Sequence, residues 1–180
     1  MAPPGGFDSP PDFVAGSALL EGAYEMAVSA HHGPRRRGDT EIGHPVAVAR
    51  LLHENEFPEA IVAAALLHDV IEATDTELGE IEVEFGAEVA DLVREMTEDA
   101  TIAAYRERKA EHRGRVAGNS CVAAIYAADK LAKVRMLNER GEQPDGERLA
   151  HYRQTLVDLR RAEPSLPFLS ELAEELDRLG

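Results

Sequence analysis

The sequence predicts an all-α, single-domain protein, and three observations carry that prediction. Alanine and leucine dominate the apolar set, aromatics make up only 5% and there is no tryptophan; small and unbranched apolar side chains favour close-packed helices over strands. Apolar positions recur at helical spacing in one segment after another, and no alternating stretch of useful strand length occurs. At 180 residues the chain has the size of one domain with a sizeable core, and neither an internal repeat nor a linker divides it.

Taken in order, residues 1–11 (MAPPGGFDSPP) are rich in proline and glycine and read as a loosely docked tail, with a domain over 12–180. Leu20, Ala23, Tyr24, Ala27 and Val28 mark a first helix that ends at His31–Gly33. Pro34–Gly43 has no periodicity and reads as a loop. A second helix starts near His44–Pro45, where proline suits the first turn, and stops around Asn55. Pro58 opens a third, which runs into His68–Asp69. Thr74 followed by Glu77 resembles a capping box for a short acidic helix, which Gly86 separates from Ala87–Met96. Ile102–Val116 is charged and helical. Gly118–Asn119–Ser120 supplies a break and a cap for a long helix, Cys121–Glu139. Glu142–Gly146 is a turn, and Glu147–Arg161 and Ser165–Leu179 are the last two helices.

Composition narrows the function. Acidic residues outnumber basic ones by 34 to 19, and such a surface repels nucleic-acid backbones and anionic membranes. The longest apolar run, Ala60–Leu67, is too short to cross a bilayer, and the N-terminus has no basic start followed by an apolar run, so a cytoplasmic protein is expected. The single cysteine, Cys121, cannot form an internal disulfide; its apolar neighbours make it a small core residue. Positive charge is concentrated in two islands, Arg35–Arg37 and Lys130, Lys133 and Arg135. A site that gathers cations on a negative protein points to a small anionic ligand rather than a polymer.

The chemistry gathers at AAALLHDVIEAT (63–74), where His68, Asp69 and Glu72 end an otherwise apolar helix. Desolvating unpaired charge is costly, and a divalent metal would offset that cost for His68 and Asp69 together. Glu72 projects one helical turn on, over the same face. His44 stands at a helix start, between glycine and proline. Asp129 sits on the apolar side of its helix, four residues after Ile125 and three before Ala132. Any one of these residues alone reads as a hydrogen-bonded core or capping group. Together they form the mixed nitrogen and oxygen donor set of an intermediate divalent metal.

With those residues in place, the sequence resembles the HD superfamily of metal-dependent phosphohydrolases, and within it the RelA/SpoT-type alarmone hydrolase branch with its small single-domain versions. AHHGPRRRGDTEIGHPVAVARLL is similar to that branch's AHxGQxRKxGxPYIxHPxxVAxxL. AALLHDVIEAT with FGAEVADLVREMT is similar to AALLHDVVEDT with FGxxVAxLVxxxT, and AADKLAKVRML is similar to ADRLHNxRTL. RKAEHRGRV and HYRQTLVDL also resemble segments of the small bacterial members. The likeness runs from about Tyr24 to Leu159. It implies metal ligands at His44, His68, Asp69 and Asp129, holding manganese (Mn2+) or another divalent ion. It implies a catalytic Glu72 that helps activate water, and substrate contacts at Arg36 and Arg37, with Lys130 and Lys133 as further candidates. The implied reaction is removal of pyrophosphate from the 3′ position of guanosine tetra- or pentaphosphate (ppGpp), a small anionic nucleotide. Oligomeric state is left open.

The chain departs from the branch at three positions. Glu72 is followed by Ala73 where the branch has a second acid, with Asp75 close by. Lys133 stands for an asparagine and Met136 for a threonine, both of which ordinarily help frame the nucleotide. An ammonium at 133 favours phosphate contact over neutral hydrogen bonding. The departures leave two alternatives: an HD-domain hydrolase of another nucleotide or phosphate ester, and a non-catalytic nucleotide-binding domain.

Overall fold

The computed structural model describes residues 10–32 and 42–180, without the side chain of His32, and among these residues there are ten helices and no strand. They are α1 (Ala18–His32), α2 (Gly43–Glu54), α3 (Glu59–Leu67), α4 (Val70–Ala73), α5 (Leu78–Phe85), α6 (Ala87–Met96), α7 (Tyr105–Val116), α8 (Ser120–Arg140), α9 (Gly146–Ala162) and α10 (Leu169–Leu179). The expected tail lies outside the described residues except for Pro10 and Pro11.

The centre of the fold is α3. Its seven residues Ile61–Leu67 are all buried, and α1, α2, α6 and α8 pack around it. Three consecutive alanines let four neighbours approach one axis. The long α8 is the second organiser. It touches α2, α3, α6, α7, α9 and α10, and Val122–Asp129 is buried without interruption.

Polar braces fix the outer helices on this frame. Arg115 donates to the carbonyls of Glu95 (2.7 Å) and Thr97 (2.9 Å), tying α7 to the end of α6. Arg113 bonds Asp158 at 3.0 Å and His151 Nδ1 at 2.8 Å, tying α7 to α9. Asn138 donates to the Glu175 carbonyl at 2.9 Å, tying α8 to α10.

Five sequence expectations need correction. The capping box belongs to Glu77 and Glu80, not to Thr74. Thr74 instead donates its hydroxyl to the Val70 carbonyl at 2.8 Å and accepts from the Thr76 N–H at 3.1 Å, closing the turn before α5. Cys121 is exposed: it is the second residue of α8, ahead of the buried stretch. The charged helix starts at Tyr105 rather than Ile102, because 101–104 is spent on a turn in which Asp99 accepts from Thr101. The last helix starts at Leu169, since Pro164 and Pro167 hold the preceding chain out of helix. The third helix does not run through His68–Asp69: α3 ends at Leu67 and α4 resumes at Val70.

Two glycines do work that a side chain would oppose. Gly86 (φ 88°) joins α5 to α6, and Gly141 (φ 64°) ends α8 in the left-handed region.

Candidate metal centre and its cavity

The break after Leu67 builds the site. His68 caps α3 and Asp69 precedes α4, so their side chains leave the helix end instead of lying along one face. His68 Nδ1–H donates to the Ala65 carbonyl at 2.7 Å. That bond fixes the ring and leaves the Nε2 lone pair facing inward. Nε2 is buried with no hydrogen-bond partner, 3.3 Å from Asp69 Oδ1 and 3.9 Å from Asp129 Oδ1. From α2, His44 brings its Nε2 to 3.0 Å from the same Asp129 oxygen.

Donor atoms of His44, His68 and Asp129 thus lie within 4.8 Å of one another. Three helices that are far apart in sequence meet here. Asp69 falls outside that mutual distance, although its carboxylate flanks His68. A buried imidazole lone pair opposed to two carboxylates is an unfavourable arrangement unless a cation lies between them. The donor set therefore fits a divalent metal held by nitrogen and oxygen.

Electrostatics follow the geometry. Burial disfavours the Asp129 carboxylate, but Lys130 and His44 outweigh it and hold its pKa well below the usual range. Burial opposes a charge on His68, yet Asp69 and Asp129 together raise its pKa. Glu72 is raised by burial against the opposing hydrogen bond from the Glu98 N–H, with Glu98 and Asp69 adding to the rise. Lys130 donates to Asp129 Oδ2 at 2.6 Å and sits 4.4 Å above the Tyr126 ring. It leaves Oδ1 turned to the two histidines.

A cavity of about 440 Å3 opens onto this cluster. Glu72 and Ala73 lie on its wall, beside His68 and Asp69. Five cations also line it: Arg108 and Lys109 from α7, Lys130 and Lys133 from α8, and Arg148 from α9. Arg108 and Lys109 both bond Glu98, Arg108 at 2.8 Å. Asp75 lines a different cavity with Gly22, Met26 and Glu80, so it does not stand in for the acid missing at Ala73.

Of the sequence-derived site residues, the structure brings His44, His68, Asp69, Glu72, Asp129, Lys130 and Lys133 to one cavity. Arg36 and Arg37 lie outside the described residues. Sequence reasoning assigned nothing to Glu98, Arg108, Lys109, His112, Arg148 and His151, which also line it. Arg108, Lys109, His112 and His151 fall in RKAEHRGRV and HYRQTLVDL, whose likeness to small bacterial members was the one available signal and gave no residue a role; Glu98 and Arg148 lie outside both segments.

Comparison with known proteins decides the family. The HD domain family matches residues 23–157, three quarters of the chain. The chain belongs to the HD domain family. Among curated HD proteins, the chain is 39% identical over 125 residues to the human guanosine-3′,5′-bis(diphosphate) 3′-pyrophosphohydrolase MESH1, covering 67% of this chain and 69% of that one. Among solved structures it is similar to a metazoan ortholog of SpoT that hydrolyses ppGpp, with a TM-score of 0.70 and 28% identity over 91% of this chain and 94% of that one. A Listeria monocytogenes EGD-e structure is also similar, with a TM-score of 0.68 and 30% identity, covering 76% and 97%. The all-helical HD fold and its histidine and aspartate cluster are those of a metal-dependent phosphohydrolase. No helix among the described residues is long and apolar enough to cross a membrane.

Proposed function

We propose that this HD protein is a manganese-dependent 3′-pyrophosphohydrolase of guanosine 3′,5′-bis(diphosphate), working as one domain over 12–180. The observation that carries this reading is the convergence of His44, His68 and Asp129 around an unpartnered buried Nε2, in a cavity also lined by five cations. The activity of the MESH1 relatives suggests the substrate.

On this reading His44, His68, Asp69 and Asp129 hold the ion. When bound, a divalent metal lowers the pKa of water and screens phosphate charge. Glu72 stays off the ion, orients the attacking water and accepts its proton. The water oxygen forms a bond to the phosphorus on the 3′ oxygen. That phosphorus–oxygen bond breaks, releasing pyrophosphate, and the 3′ oxygen leaves as a hydroxyl after gaining a proton. Arg108, Lys109 and Arg148 offset the charge of the pyrophosphate. Arg36 and Arg37 are proposed to stack on the guanine. A cytoplasmic location goes with a soluble nucleotide substrate.

Ala73, Lys133 and Met136 favour a second reading, in which the same centre hydrolyses another nucleotide or phosphate ester. Incubating manganese-loaded protein with ppGpp and a panel of nucleotides, and resolving products by ion-exchange chromatography, separates the two. Release of GDP and pyrophosphate is the expected result. Turnover of another compound with none of ppGpp would reject the first reading.

A further inference from the structure

A second cavity, of about 540 Å3, lies between α2 and α8 beside the metal cavity. Val46, Leu51, Ala132 and Met136 give it an apolar surface, and Arg50, Glu54, Arg135, Glu139 and Arg140 also line it. Among the described residues, only His44 and Lys133 line both cavities. His44 is committed to Asp129 at 3.0 Å, which leaves Lys133 as the cation at the join.

Lys133 differs from four other cations of α7 and α8 that line these walls. Arg108, Lys109, Lys130 and Arg135 each have a carboxylate partner. Lys133 is half-buried, and no carboxylate pairs with it among the described residues. Taking an ammonium partly out of water without a counter-ion is unfavourable, and an arriving anion relieves it. On the functional reading proposed above, Arg108, Lys109 and Arg148 are taken up by the departing pyrophosphate. Lys133, at the mouth of the second cavity, faces the part of a substrate that stays behind.

We propose that Lys133 binds a phosphate on the retained nucleotide and makes that phosphate a determinant of specificity. The inference rests on the proposed 3′-pyrophosphohydrolase reading. A substrate whose nucleoside occupies the second cavity and whose 3′ group reaches the metal must pass its sugar across the join. Its 5′-phosphate is the remaining anionic group within reach of a side chain there. Charge-assisted hydrogen bonds are about twice as strong as neutral ones, so a 5′-phosphate held by Lys133 should gain about tenfold or more in affinity.

The test uses manganese-loaded wild-type protein, Lys133→Asn and Lys133→Arg. Calorimetry with guanosine, GMP and GDP gives binding without turnover. Steady-state rates with guanosine 3′-diphosphates bearing a 5′-hydroxyl or a 5′-diphosphate give kcat/KM. Wild type should favour the 5′-phosphorylated member of each set by about tenfold or more. Lys133→Asn should lose that preference while binding guanosine as before, and Lys133→Arg should keep it. Equal losses for guanosine and GDP, or no loss for either, would overturn the proposal. If wild type releases no pyrophosphate from any 3′-diphosphate, the functional reading falls, and the guanosine-to-GDP series still decides the role of Lys133.

Discussion

The backbone N–H of Glu98 donates to Glu72 Oε1 at 2.7 Å, joining the turn after α6 to the helix that follows the His-Asp pair. One oxygen of the proposed base is therefore occupied and the other is left for the cavity. Glu72→Gln preserves this bond through its amide oxygen but cannot take a proton. Turnover should fall by about a hundredfold or more, with manganese content unchanged in elemental analysis. An undiminished rate would remove Glu72 from the mechanism.

Metal binding should stabilise the fold, because the unfolded chain has no preformed site. At about a hundredfold excess of manganese over its Kd the gain is about 2.7 kcal/mol. For a chain of this size that raises Tm by roughly 5–10 °C. His68→Ala should show no such rise. An equal rise in that variant would place the ion elsewhere.

Acid should weaken the protein early. Burial, with Lys130 and Arg115 nearby, lowers the His112 pKa to about 4. Burial, with Lys130 and Lys109 nearby, lowers that of His151 to about 3. Unfolded histidine titrates near 6.5, so below that pH the unfolded chain binds protons that the folded one refuses. The stability these groups contribute is complete above pH 6.5 and is lost as pH falls toward 4 and then 3. Glu98 adds a loss in the same direction from near 4.5: burial opposes its charge, but Lys109 and Arg108 bring its pKa down to about 2. Urea midpoints measured from pH 8 to pH 4 should decline from about 6.5 downward. A flat profile to pH 4.5 would contradict the buried neutral histidines.

Asn119 accepts from the N–H groups of Cys121 and Val122 at 3.0 and 3.4 Å, capping the helix that carries Asp129. Asn119→Ala should cost about 1 kcal/mol of stability by denaturant titration. Loss of far more would mean the cap also holds the α7–α8 junction.

Exposed at the start of α8, Cys121 should react stoichiometrically with a thiol reagent in the folded protein. Protection without denaturant would restore the core assignment.

Most of the architecture was legible because helical spacing and punctuation agree: Gly86, Asn119 and Gly141 stand at the ends of elements, and the apolar stripes fix the faces between them. The metal cluster was legible because its residues are chemically out of place in apolar surroundings. The α7 cations were not, because Arg108 and Lys109 look like ordinary surface charges in a charged helix, and only the packing of α7 against α6, α8 and α9 turns them inward. Thr74 misled for a related reason: its hydroxyl donates one turn back to the Val70 carbonyl and accepts from the nearby Thr76 N–H, instead of accepting from the N–H groups of the next helix. The break at His68–Asp69 was hidden too, since nothing in LLHDVIEA lacks helical propensity. A ring bonded to the Ala65 carbonyl, opposite His44 and Asp129, accompanies that break.

The crowding around α3 has a bearing on how such a protein can change. Seven successive buried side chains lead directly into the turn carrying His68, so enlarging one of them would press on that turn. Ala73, Lys133 and Met136, the positions that depart from the branch's pattern, lie instead on the walls of the two cavities. A lineage built this way can exchange the molecules it accepts while its reactive centre stays frozen.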